Sequence, residues 1–217
     1  MVSVVIFDVD GTLMDTNYLH VEAWARAQRQ VGATAPRSRI HAEIGKGSDQ
    51  FLPVFVPDKE RAAHANEIHG QVYKELEGHG YPLPGARELL RSLKGRGYRV
   101  WFATSAEADQ LGPVLKALEA EDGLIDGIVS SADVEKSKPH PDLFGTALER
   151  AGVPAGDAVA VGDTVWDIQA AERAGGLRTV AVLTGGAFSR AELEHAGAVR
   201  VVEDCAELLA LNFPDGF

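Results

Sequence analysis

Asp8 and Asp10 stand two residues apart at the end of an apolar run, Val2, Val4, Val5, Ile6 and Phe7. In an extended segment, residues i and i+2 project to one side. Two carboxylates held that close need a cation or a proton between them. A divalent-metal site at the carboxyl end of a strand answers that need. Two further strand ends carry polar chemistry. VWFATS ends in Thr104 and Ser105, and AVAVGDTVWD supplies Asp163 and, one turn into a helix, Asp167. Between them the loop EKSKPHPD offers Lys136 and Lys138, and spacing alone does not choose between the two. Acids suit magnesium, and a lysine and hydroxyls suit phosphate oxygens. The set as a whole asks for phosphoryl chemistry.

The elements that must position these residues follow from periodicity. The β-branched run before Asp8 reads as a strand buried on both faces of a parallel sheet. From Thr16 to Val31 the pattern is helical, with Thr16 or Asp15 available as cap and Gly32 as stop. A second helical stretch covers about Arg37 to Ile44, then a loop Gly45-Lys46-Gly47-Ser48, then a helix from about Asp58 to Glu77. No strand pattern occurs between Thr16 and Pro82, so this is an all-helical insert. Beyond Gly85, strands are predicted over Tyr98–Ala103, Ile125–Val129, Ala158–Val161, Thr179–Leu183 and Val199–Val202. They alternate with helices over about Ala108–Glu121, Pro141–Ala151 and Val165–Ala174, and others beginning near Ser189 and Cys205. Such alternation predicts an α/β fold with a doubly wound parallel sheet. The expected core is residues 1–15 and 82–217, and the insert is residues 16–81. In such a sheet the polar strand ends converge in one crevice.

The string DVDGTLMDT resembles the first signature of the haloacid dehalogenase superfamily, in its phosphatase branch. Thr104, Lys138 in KPHPD and the acidic GDTVWD are similar to the remaining signatures, in the same order. The resemblance spans the whole non-insert part of the chain, and the helical insert is similar to that superfamily's mobile cap. It implies that Asp8 is the nucleophile, forming an aspartyl-phosphate, and that Asp10 is general acid and then base. It implies Mg2+ held by Asp8, the Asp10 carbonyl and Asp163. Asp167, four residues after Asp163 on the same face of a helical start, is either a further ligand or orients Asp163 without touching the metal, with the second reading preferred. Thr104, Ser105 and Lys138 would bind the transferring phosphate. Lys46 is placed to reach a remote group of the substrate, and His20 matches a histidine of β-phosphoglucomutase.

Composition narrows the partners. The 217 residues carry a net charge of −11, which offers nothing to a phosphate backbone, so nucleic acid is not expected. A small phosphorylated metabolite fits, as metal and local lysines set the field inside a cleft. The single cysteine, Cys205, forbids an intrachain disulfide and reads as core filler. No basic segment precedes the first apolar run, which ends at Asp8, so neither signal peptide nor membrane span is expected. A cytoplasmic monomer or homodimer is the default. The expected activity is hydrolysis of a phosphate monoester of sugar-phosphate or phosphoglycolate type. A sugar-phosphate mutase would share the whole core, but Ser105-Ala106-Glu107-Ala108 lacks the basic and amide residues found in β-phosphoglucomutase. A dehalogenase has no use for an acid at Asp10. A phospho-acceptor domain has no need of a helical insert, and a non-catalytic binding protein would be expected to have lost a signature acid.

Overall fold

The computed structural model describes residues 2–120 and 123–215. Eight strands are numbered in chain order: β1 (Val4–Phe7), β2 (Met14–Asp15), β3 (Tyr81–Pro82), β4 (Arg99–Ala103), β5 (Gly127–Val129), β6 (Ala158–Gly162), β7 (Thr179–Val182) and β8 (Arg200–Val202). Six of them form one parallel sheet in the order β5-β4-β1-β6-β7-β8. β1 is central, and the chain fills one side of it before returning to fill the other. The carboxyl end of β1 is therefore the topological switch point, where a crevice opens between connections leaving in opposite directions.

Helices cover both faces of the sheet, as the expected α/β class requires. The pleat sends Val5 and Phe7 to one face, against Leu89, Leu90, Val100, Val159 and Leu208. It sends Val4 and Ile6 to the other, against Phe144, Ala147, Ala160 and Ala171. All four β1 residues are fully buried, each worth roughly 1.5–3 kcal/mol of transfer free energy. Cys205 lies in the first of these clusters, as core filler should. The layers come from α5 (Ala86–Gly95), α6 (Leu111–Ala117), α7 (Asp142–Ala151), α8 (Val165–Arg173), α9 (Arg190–Ala196) and α10 (Cys205–Ala210).

Between β2 and β3 the chain builds four helices, α1 (Asn17–Gln30), α2 (Arg37–His41), α3 (Ser48–Phe55) and α4 (Lys59–Leu76). They close over their own apolar cluster, with Trp24, Ile40, Phe51, Ile68 and Val72 at its centre. Asp58 caps α4 by accepting the Arg61 amide at 2.9 Å.

Three expectations need correction. A helix, α3, occupies Ser48–Phe55, where none was predicted; Pro53 and the unbroken run FLPVFV hide its period. The insert is not free of strand: Tyr81–Pro82 pairs antiparallel with Met14–Asp15, a ribbon too short for any periodicity to reveal. The predicted helix over Ala108–Glu121 is shorter, a 3-10 turn at Ala108–Gln110 followed by α6; its expected last residue, Glu121, lies outside the described residues.

Candidate active site

β1 delivers Asp8 one residue beyond its last paired position, and the Asp8 amide donates to the Val161 carbonyl at 2.9 Å. The carboxylate is buried and accepts from Nζ of Lys138, which also lies 2.7 Å from Asp167 Oδ1. Lys138 is fully buried, whereas Lys136 is exposed, so burial makes the choice that spacing left open. Burial alone would depress the Lys138 ammonium; Asp167 and Asp8 outweigh it and hold its pKa above the ordinary lysine range. The second oxygen of Asp167 accepts from the Thr164 amide at 3.1 Å and from the Thr164 hydroxyl. This is a capping box at the start of α8, so the helix start itself fixes that carboxylate.

Asp163 sits one residue past β6. It accepts from the Thr12 hydroxyl at 3.1 Å and from Nδ2 of Asn17 at 3.2 Å. Asn17 also donates to the Gly185 carbonyl at 3.3 Å. A Cβ at Gly185 would fall 1.7 Å from Asp163 Oδ2, so any side chain there would displace the carboxylate. Oxygens of Asp8, Asp163 and Asp167 all lie within 4.8 Å of one another. Three buried acids against one lysine leave unbalanced negative charge. Burial pushes the Asp8 carboxyl up to about 7, with Asp167 and Asp10 adding to the effect and Lys138 opposing it. Burial, Asp8 and Asp167 likewise push Asp163 well above the usual carboxylate range. A set of hard oxygen donors that must otherwise take up protons fits a divalent cation such as magnesium.

Asp10 follows a different logic. Of the two residues available to cap α1, Thr16 or Asp15, Thr16 takes the N-cap position but makes no side-chain capping bond. Its hydroxyl donates instead to Asp10 Oδ1, and Nε2 of His20 lies 3.4 Å from the same oxygen. Burial would raise the Asp10 pKa; His20 and Thr16 together outweigh it and hold Asp10 below the ordinary range. Nδ1 of His20 is 3.3 Å from Nε2 of His69 on α4. His20 stacks on Tyr73 at 4.0 Å, and His69 stacks on Trp24 at 3.8 Å. Burial and the neighbouring His20 hold the His69 pKa well below the usual histidine value.

Asp8 and Asp10 open into a cleft between the sheet end and the helical unit. Lys46 and Ser105 line it from opposite sides. Lys46 is ion-paired with Glu43 and lies 3.8 Å from the centre of the Trp166 ring. The Ser105 hydroxyl donates to the Gly45 carbonyl at 2.9 Å. Thr104 stands behind the cleft wall, fully buried, its hydroxyl accepting from the Ala106 amide at 3.0 Å. Several bonds join the two sides. The Gly47 amide donates to the Ser137 hydroxyl at 2.9 Å, Trp166 Nε1 donates to the Ala42 carbonyl at 3.1 Å, and His41 Nε2 is 2.9 Å from the Gly185 carbonyl.

Residues 2–175 match the family model of haloacid dehalogenase-like hydrolases. This chain belongs to that family. A solved structure of a hydrolase from Pseudomonas syringae is 37% identical and superposes with a TM-score of 0.91, with 98% of each chain covered. Among curated relatives, the "Probable phosphatase IndB" of Dickeya dadantii is 33% identical over 96% of this chain and 93% of its own length. The "Phosphoglycolate phosphatase" of Nitrosospira multiformis is 33% identical over 80% of each chain. The chain is also 32% identical to the chloroplastic "Protein SUPPRESSOR OF QUENCHING 1" of Arabidopsis thaliana, but spans only 20% of it.

The fold brings Asp8, Asp10, Lys138, Asp163 and Asp167 together with His20 of α1, residues spread over most of the chain. Thr12, Asn17, His69 and Gly185 are among the site residues that carried no predicted role. Thr12 falls inside the DGT string and was within reach of sequence reading. Nothing local marks the other three, because each acquires its partner from an element distant in sequence.

Proposed function

We propose that this chain is a magnesium-dependent phosphatase that hydrolyses a small phosphate monoester through an aspartyl-phosphate on Asp8. The single observation that carries the reading is the fully buried Lys138, shared between the Asp8 and Asp167 carboxylates at the end of the central strand. A lysine is not buried without a charge to hold, and here it holds the nucleophile in place.

Asp8, Asp163 and the carbonyl of Asp10 would hold the metal; both Asp167 oxygens are already engaged, by Lys138 and Thr164. When bound, magnesium supplies the positive charge that keeps Asp8 ionised and lets it meet an anionic phosphate. An Asp8 oxygen attacks phosphorus, the bond from phosphorus to the leaving oxygen breaks, and Asp10 gives that oxygen a proton. Water then attacks the phosphorus of the aspartyl-phosphate, Asp10 takes its proton, and Asp8 and inorganic phosphate are released. The anionic substrate opposes the influence of His20 on Asp10, which favours the protonated acid at the moment it is needed. Lys138 offsets charge developing on the transferring oxygens. The helical unit acts as a cap that keeps bulk water from the intermediate. Glu107 on the cleft wall, where a mutase would be expected to carry basic residues, supports hydrolysis.

Phosphate release from p-nitrophenyl phosphate, with and without magnesium, tests the reading. Asp8→Asn should lose at least a thousandfold in turnover while keeping its fold by circular dichroism. Near-wild-type turnover by that variant would remove Asp8 as nucleophile.

A further inference from the structure

The two sides of the cleft treat charge differently, and this bears on what the leaving group can be. Around Asp8 and Asp10 the walls are built for a phosphate. The remaining lining carries a single Lys or Arg, Lys46. Its ammonium is paired with Glu43, its side chain is only 12% exposed, and it lies over the Trp166 ring. It is therefore a neutralised cation, held by the helical unit and packed against the core. Both ring nitrogens of His20 are engaged, one by Asp10 and one by His69. Facing them, Glu107 lines the cleft, and among the described residues no Lys or Arg pairs with it; Nδ2 of Asn66 donates to it across the cleft at 3.3 Å.

That bond also fixes which way the Asn66 amide points, since an amide oxygen would not face a carboxylate. Asn66 Oδ1 is then left buried with no hydrogen-bond partner among the described residues. That oxygen is closed off from solvent, so the acceptor the cleft itself offers is the Glu107 carboxylate, which takes a bond from a hydroxyl but not from a carboxylate or a second phosphate. An anionic remote group would also meet Glu107 and find no free cation, so it would be repelled. Trp24 adds an apolar edge for carbon-bound hydrogens.

Building on the phosphatase reading above, we infer that the substrate is a monoester whose leaving group is a neutral, hydroxyl-rich alcohol. Esters carrying a carboxylate, such as phosphoglycolate, or a second phosphate are selected against. Glu107 and the Lys46–Glu43 pair are the specificity-determining residues.

The test measures kcat/KM for phosphate release by the magnesium-supplemented protein on matched pairs. One pair is 2-hydroxyethyl phosphate against phosphoglycolate, which differ only in a hydroxymethyl or carboxylate end. The other is glucose 1-phosphate against glucose 1,6-bisphosphate. The neutral-ended member of each pair should be favoured at least tenfold. Glu43→Gln, which frees the Lys46 charge, should narrow the phosphoglycolate ratio severalfold, mainly through KM. Glu107→Gln should narrow it independently. Equal or better turnover of the anionic members overturns the inference and leaves the phosphatase reading intact, as does turnover of p-nitrophenyl phosphate without any neutral polyol ester. A ratio that neither variant moves removes Glu107 and Lys46–Glu43 from the argument. Silence on every ester, p-nitrophenyl phosphate included, takes the phosphatase reading down with it.

Discussion

Asp8 and Asp10, two residues apart, are driven in opposite directions by their partners. Burial pushes Asp8 up to about 7, while His20 and Thr16 outweigh burial at Asp10 and hold it low. Without a cation this separation is the reverse of what the proposed chemistry needs, an ionised Asp8 and a protonated Asp10; a metal at Asp8 and an anionic phosphate beside Asp10 would move both in the required direction. Removing His20 should let the Asp10 pKa rise. In His20→Leu the alkaline limb of the kcat profile should accordingly move to higher pH, with kcat about tenfold lower for the lost contact to a charged group. An unmoved limb would separate His20 from Asp10. The raised acids make a second, thermodynamic prediction. A carboxyl whose folded pKa exceeds its unfolded value stabilises the fold fully below the unfolded value, near 3.8 for Asp8, and loses that contribution as pH rises through about 7. With chelator present, Tm should fall between pH 4 and 7. Magnesium should restore it, and restore more at pH 8 than at pH 5, because metal replaces protons at the same oxygens. Scanning calorimetry at the two pH values reads this directly.

At the scale of elements, each site residue is fixed by something that also builds the fold. The end of β1 sets Asp8, the capping box of α8 sets Asp167, and a side-chain-free Gly185 makes room for Asp163. The seam between core and helical unit follows the same rule. Gly47 approaches Ser137 so closely that an added Cβ would sit 2.4 Å from its hydroxyl oxygen. Gly47→Ala should force the 45–49 loop off the core. KM should rise about tenfold while Tm shifts by only a few degrees, since α3 and the loop contribute little to the main core. An unchanged KM would show that the seam plays no part in substrate capture. Here sequence reading reached its limit. It found Lys46 in the loop but not Glu43 as its partner, and it found His20 but not His69. Pairings across elements distant in sequence leave no local pattern. The parallel strands, by contrast, announce themselves through runs such as VSVVIF and AVAVG, buried on both faces, and their ends mark Asp8, Thr104 and Asp163.

At the scale of the whole molecule, the four-helix cluster is joined to the sheet and its flanking helices by two chain crossings. Those crossings are β2 and β3, and they are hydrogen-bonded to each other as an antiparallel ribbon, Met14 opposite Pro82 and Asp15 opposite Tyr81. Two separate tethers would let the helical unit twist as well as tilt; a fused pair behaves as the spine of a book. Thr16 is the next residue along that spine, and His20 lies one helical turn further. A turn of the helical unit about this spine would carry His20, one helical turn out, away from the Asp10 oxygen while Thr16, at the spine, moved little. Admitting solvent and releasing Asp10 from His20 would then be a single movement.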